Sequence, residues 1–107
     1  MARRADGVVD FGYLESFVSG DAAIVCEVLD LFRQQAESWA ETLRPEDPEW
    51  RNVVHTIKGA ARGVGANALG DVCEKAEFGQ PEDLPAVRDA LEAAVAEIAA
   101  YQAARRA

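Results

Sequence analysis

The sequence predicts an all-α fold, an up-and-down antiparallel four-helix bundle with a short additional N-terminal helix, and three observations predict it. Half of the 107 residues are hydrophobic but only 7% are aromatic, and much of the apolar content is alanine, which favours helix over strand. Within each uninterrupted stretch the apolar residues recur at intervals of three and four, the spacing of one helix face. Turn-forming residues divide these stretches at Ser19-Gly20, Arg44 to Pro48, Gly63 to Asn67 and Gly79-Gln80-Pro81. Connections this short make successive helices antiparallel neighbours.

The elements follow in order. Residues 10 to 18 form a short first helix, to be packed over one end of the bundle. Asp21 is a cap for a long second helix whose apolar stripe runs through Ile24, Val28, Leu31, Phe32, Trp39 and Leu43. Asp47 followed by Pro48 reads as a cap and first-turn pair opening a third helix, with Trp50, Val53, Val54, Ile57, Ala61 and Val64 on its apolar side. Gly65 lets the chain reverse. Asn67 is the expected cap of a fourth helix bearing Leu69, Val72, Cys73 and Ala76, and Gly79 is expected to end it in a left-handed conformation. The fifth helix starts near Leu84 and runs through Val87, Leu91, Val95 and Ile98 to Tyr101.

Size and charge narrow the function. The length fits a single domain spanning residues 1–107 and leaves little core from which to carve a deep catalytic cleft or a dinucleotide pocket. With 11 Lys+Arg against 19 Asp+Glu the net charge is −8, which disfavours nucleic acid and an anionic membrane surface and points to a protein or small-molecule partner. No apolar run approaches the roughly 20 residues that span a bilayer. Arg3-Arg4 is followed by Ala5-Asp6-Gly7, not by a signal-peptide core, so a cytoplasmic location is expected. Cys26 and Cys73 lie far apart among apolar residues and read as buried free thiols.

The chain has one histidine, His55. On a helical wheel with His55 at zero, Lys58 falls at about −60°, Arg62 at about −20°, Gly59 at about +40° and Gly63 at about +80°. The apolar set lies opposite, from about 160° for Val53 to about 240° for Ala61. His55 therefore faces solvent, with Lys58 and Arg62 supplying positive charge in an otherwise acidic protein. Gly59 and Gly63 share that exposed face, where the core does not need them and each costs about 0.5 to 1 kcal/mol of helix stability. Bare backbone beside the ring would let a partner approach closely.

A neutral imidazole is nucleophilic near neutral pH, and phosphorylating it requires one free nitrogen while the other keeps its proton. The turn at Gly65 and Ala66 lies midway between His55 and Glu77, so antiparallel helices bring the two roughly level. Glu77 is thus a candidate orienting base for the ring; on geometry alone it is equally a solvated carboxylate.

The segment His55-Thr56-Ile57-Lys58-Gly59-Ala60-Ala61-Arg62-Gly63-Val64-Gly65-Ala66 closely resembles the H-x-x-K-G core of histidine-containing phosphotransfer (HPt) domains of bacterial two-component phosphorelays. The resemblance extends to Gly20-Asp21 before the second helix and to the Leu69, Cys73 and Glu77 pattern. It implies a freestanding four-helix phosphotransfer protein with His55 as phosphoacceptor, Lys58 as phosphate-contacting cation and Gly59 as small contact residue. Arg62 is carried over as a docking or charge-supplying residue, and Gly63 continues the partner-facing surface. Several relatives have glutamine in the place of Glu77, and chemotaxis-kinase phosphotransfer domains have glutamate. The implied partners are the receiver domain of a hybrid histidine kinase as donor and a response-regulator receiver as acceptor. The implied protein is a monomer with no cofactor of its own, the receiver supplying a divalent metal ion, and without autonomous kinase or ATPase activity.

Other readings compete less well. A module that binds and inhibits receivers without accepting phosphate would have no need of His55 with Lys58. The dimerisation domain of histidine kinases presents a helical histidine too, but usually beside an acidic residue and ahead of a proline, a pattern from which Thr56 and Gly59 to Gly63 depart. One histidine and two dispersed cysteines are too few for a zinc site or a hydrolytic nucleophile pair.

Overall fold

Asp21 accepts the backbone N–H groups of Ala23 and Ile24 at 3.0 and 3.3 Å and so starts helix α2, Ala22–Thr42, where the sequence placed it. In the computed structural model, which describes residues 9–17 and 21–106, it is preceded by α1, Phe11–Phe17, and followed by α3, Trp50–Val64, α4, Asn67–Glu77, and α5, Leu84–Arg106. A single 3-10 turn, Pro81–Asp83, leads into α5. No strand occurs among the described residues, and no helix among them is long and apolar enough to cross a membrane. The turn at Ser19-Gly20, Val18 at the end of the first helix, and the Arg3-Arg4 segment lie outside the described residues.

The long helices close a ring in which α2 packs on α3, α3 on α4, α4 on α5 and α5 on α2. That closure makes the bundle. Its core is Val25, Leu29 and Phe32 from α2, Val54, Ile57 and Ala61 from α3, Leu69, Cys73 and Ala76 from α4, and Val87, Leu91 and Ile98 from α5. Two polar devices fix α2 against α5. Arg88 donates from Nη1 to the carbonyl of Ala40 at 3.0 Å and from Nη2 to that of Leu43, satisfying carbonyls at the end of α2. Gln102, only 1% exposed, accepts from Arg33 at 2.8 Å and donates to Asp30 at 2.8 Å, so its buried amide is paired on both sides.

Helix α1 sits at the end of the bundle where α3 turns into α4. The N–H of Asp10 donates to the carbonyl of Gly65 at 2.8 Å, Leu14 is buried, and Phe11 stacks on Tyr101 with ring centroids 4.0 Å apart. Gly65 has φ +85°. Its N–H reaches the carbonyl of Arg62 and the N–H of Ala66 that of Ala61 at 2.8 Å, the paired closure that a left-handed residue at a helix end allows.

Five local expectations are corrected. In α2 the buried stripe is Val25, Leu29, Phe32 and Ala36, while Ile24 and Leu31 are 42% and 55% exposed. Both sets have helical spacing because α2 is apolar over a wide arc, and only the neighbouring helices select which half is covered. Cys26, next to that stripe, is accordingly half-buried, although both thiols are free as expected. The third helix starts at Trp50, because the Asp47 carboxylate captures the N–H of Glu49 at 2.8 Å and makes a turn instead of a cap. Asn67 is the first residue of α4 and Ala66 its cap, without a side-chain bond, since the closure at Gly65 leaves no spare residue. Gly79 is not left-handed, Gly65 being the one glycine with positive φ among the described residues. What Gly79 supplies is space: a Cβ there would meet Oδ2 of Asp83 at 2.1 Å.

Candidate functional site

α3 and α4 share the most extensive contact in the molecule, and the face that α3 turns along this seam carries four polar residues. His55 is one, its side chain 65% exposed. The two-residue connection at Gly65 and Ala66 brings the last residue of α4 level with it, and Nδ1 of His55 lies 2.8 Å from Oε2 of Glu77. The other carboxylate oxygen, Oε1, lies 2.7 Å from Nζ of Lys58. Lys58 and Glu77 are largely covered, with side chains 17% and 15% exposed. The ammonium is also 5.6 Å from the ring centroid of Phe78.

These contacts decide the protonation pattern. The ammonium of Lys58 holds the Glu77 carboxyl below the usual carboxylate range against the opposing effect of burial, and the bond from His55 adds to it. An ionised carboxylate only accepts. Nδ1 must therefore be the nitrogen that keeps its proton, and in the neutral ring the lone pair resides on Nε2. The ring is thus exposed, oriented and nucleophilic at one defined nitrogen.

The remaining expected residues divide between two sides of the histidine. Arg62 turns toward α4, where its stem lies over Gly70 and its guanidinium meets Glu74 at 2.7 Å and Asp71 at 3.5 Å. It is not brought to the imidazole. Gly59 and Gly63 lie on the other side, and a Cβ at either would meet nothing within 4 Å. Gly63 lines a shallow apolar groove of about 230 Å³ with Val28, Leu31, Phe32, Ala60 and Val64. Beneath the seam, burial pushes the Cys73 thiol up to about 12, so it stays protonated and takes no part in the site.

Two neighbours were missed in the sequence. Arg51 donates from Nε to the carbonyl of Glu77 at 3.1 Å and from Nη2 to that of Gly79 at 2.7 Å. The helical wheel contained its signal, for Arg51 falls at about −40°, between Lys58 and Arg62. Phe78, 78% exposed beside the ion pair, follows the last residue of α4 and has no periodic signature.

Comparison with known proteins gives the family. The Hpt domain family matches residues 27–101, a span that contains α3, α4 and every residue of the site. The chain belongs to the Hpt family. Among solved structures it is similar to the histidine phosphotransferase ShpA from Caulobacter crescentus, with 55% sequence identity, a TM-score of 0.85, and coverage of 94% of this chain and 95% of that one. No curated protein matches. Histidine phosphotransfer in two-component phosphorelays is accordingly the general activity of this Hpt protein, and receiver domains are its general class of partner.

Proposed function

We propose that this Hpt protein is a shuttle whose Nε2 of His55 accepts a phosphoryl group from the receiver aspartate of a hybrid histidine kinase and passes it to the aspartate of a response regulator. The observation that carries this reading is the 2.8 Å contact of Nδ1 with an ionised Glu77 on an exposed ring. The Nε2 lone pair forms the new bond to phosphorus while the bond from phosphorus to the donor's aspartate oxygen breaks, and that aspartate leaves as a carboxylate. Nδ1 keeps its proton throughout. The imidazolium so formed is positive, and Glu77, already negative and already in contact, stabilises it without reorganisation. Transfer to the acceptor is the same step reversed.

In this reading Lys58 contacts the phosphoryl oxygens once they arrive, and Gly59 and Gly63 admit the receiver's loops. Arg62 contributes charge from the rim, held on α4. We place the divalent ion of the reaction in the receiver. We take a single chain as the working unit, in the cytoplasm.

Incubating the purified protein with a panel of phosphorylated receiver domains tests the proposal. Label should pass to wild type as an acid-labile, alkali-stable phosphoramidate and should not pass to His55→Gln, whose melting is expected to match wild type because the ring lies outside the core. Receivers that bind but transfer nothing would establish a binding module instead. Label retained by the His55→Gln variant would move the acceptor elsewhere.

A further inference from the structure

We propose that Arg51 is a positioning residue for the phosphoacceptor, acting through the end of α4. The inference deepens the reading of His55 as the nucleophile and rests on it. Glu77 is the last residue of α4. The final carbonyls of a helix have no partner within it, and terminal turns fray. A carboxylate placed there cannot by itself hold a ring in one tautomer.

The usual way of securing such an end is absent, for the residues after α4 do not adopt a left-handed cap: Phe78 has φ −103° and Gly79 is not left-handed. Arg51 takes over that task. Its guanidinium bridges the carbonyls of Glu77 and Gly79 at 3.1 and 2.7 Å, and its positive charge lies where the helix dipole of α4 is negative. The group is itself backed, lying 4.4 Å from the ring centroid of Trp50, which is only 6% exposed.

The placement on α3 gives this contact its consequence. Arg51 precedes His55 by one turn on the same face, so one rigid segment presents the imidazole and grips the backbone of the residue that orients it. Lys58, about one turn further on, holds the other oxygen of the same carboxylate. Glu77 is therefore secured at its backbone by Arg51 and at its two oxygens by His55 and Lys58. Arg51 reaches the two carbonyls from two different nitrogens of one rigid planar fork, a geometry that lysine lacks.

The test compares wild type, Arg51→Ala and Arg51→Lys by nitrogen-15 NMR of His55 in the unphosphorylated protein and by the rate of labelling from a phosphorylated receiver. Wild type should hold the Nδ1–H tautomer. Arg51→Ala should give a mixture of tautomers and slow labelling roughly tenfold, the lower end of what losing an orienting partner costs a histidine ligand, with Arg51→Lys in between. In a Glu77→Ala background Arg51→Ala should change the tautomer ratio no further, because the effect runs through that carboxylate. A lower melting temperature with an unchanged tautomer ratio would reduce Arg51 to a structural contact and overturn the proposal. A wild-type protein that takes no label would overturn the phosphotransfer reading itself, and that result is independent of the tautomer measurement.

Discussion

Lys58 and Glu77 form a covered ion pair, Nζ to Oε1 at 2.7 Å with side chains 17% and 15% exposed. The cation that the sequence places beside the histidine is thus engaged by the carboxylate that orients the histidine. A phosphoryl group arriving on Nε2 would compete with Glu77 for the same ammonium. Lys58 is thus not an unpaired charge beforehand.

Replacing Glu77 separates orientation from charge. Glu77→Gln can still accept from Nδ1–H through its amide oxygen, so it should keep the tautomer and slow transfer modestly. Glu77→Ala should release the ring and slow transfer further while the fold remains. Nitrogen-15 chemical shifts of His55 in the three proteins check this, and identical tautomer ratios would show that the contact at 2.8 Å does not orient the ring in solution.

The same pair sets a pH dependence. Because Glu77 is held below the usual carboxylate range in the folded protein, chiefly by Lys58, its contribution to stability is fully present above the unfolded value of about 4.3. It is lost as pH falls through the lower folded value. Lys58→Ala should bring the Glu77 titration back up toward the ordinary range, as read by carbon-13 NMR of the carboxyl. It should also slow phosphoryl transfer more than it weakens binding of the unphosphorylated protein.

At Gly59 stability and function should move in opposite directions. Since a Cβ there meets nothing within 4 Å, Gly59→Ala should stabilise α3 by up to about 1 kcal/mol. Larger residues should still fold, yet transfer with a receiver should slow as the side chain grows. Stopped transfer with a normal melting curve is the expected signature, and rates indifferent to bulk would refute a close approach at this position.

Gly65→Ala is expected to behave in the reverse way. Its φ of +85° and the carbonyl oxygen of Asp10 only 2.5 Å from the would-be Cβ combine a left-handed backbone penalty of about 1 to 2 kcal/mol with a direct clash. The α3–α4 turn and the docking of α1 should loosen together. Thermal unfolding should show a clear loss of stability with this variant and none with Gly59→Ala.

Thiol chemistry should separate the two cysteines. Cys73 is fully buried and pushed up to about 12, so iodoacetamide should leave it unmodified in the native protein. Cys26 is half-buried and should react first. Mass mapping after a timed quench distinguishes them, and early labelling of Cys73 would mean that the α3–α4 seam opens readily.

The sequence by itself determined the helices, the exposed histidine and the level at which Glu77 meets it. Those features follow from periodicity, turn residues and the length of chain on either side of Gly65, all of which are local and additive along a helix. The cap at Asp21 and the reversal at Gly65 were legible for the same reason. Only the tertiary structure decided which half of α2 is buried, because Ile24 and Leu31 satisfy the same spacing as Val25, Leu29 and Phe32, and burial is conferred by neighbours. It also decided where the charges go. Arg51, Lys58 and Arg62 form one basic stripe on α3, and nothing in their spacing says that α4 will take all three, through the carbonyls of Glu77 and Gly79, the Glu77 carboxylate, and the Asp71 and Glu74 side chains. A helical wheel gives the direction of a side chain; the partner it meets belongs to another helix, and only packing brings the two together.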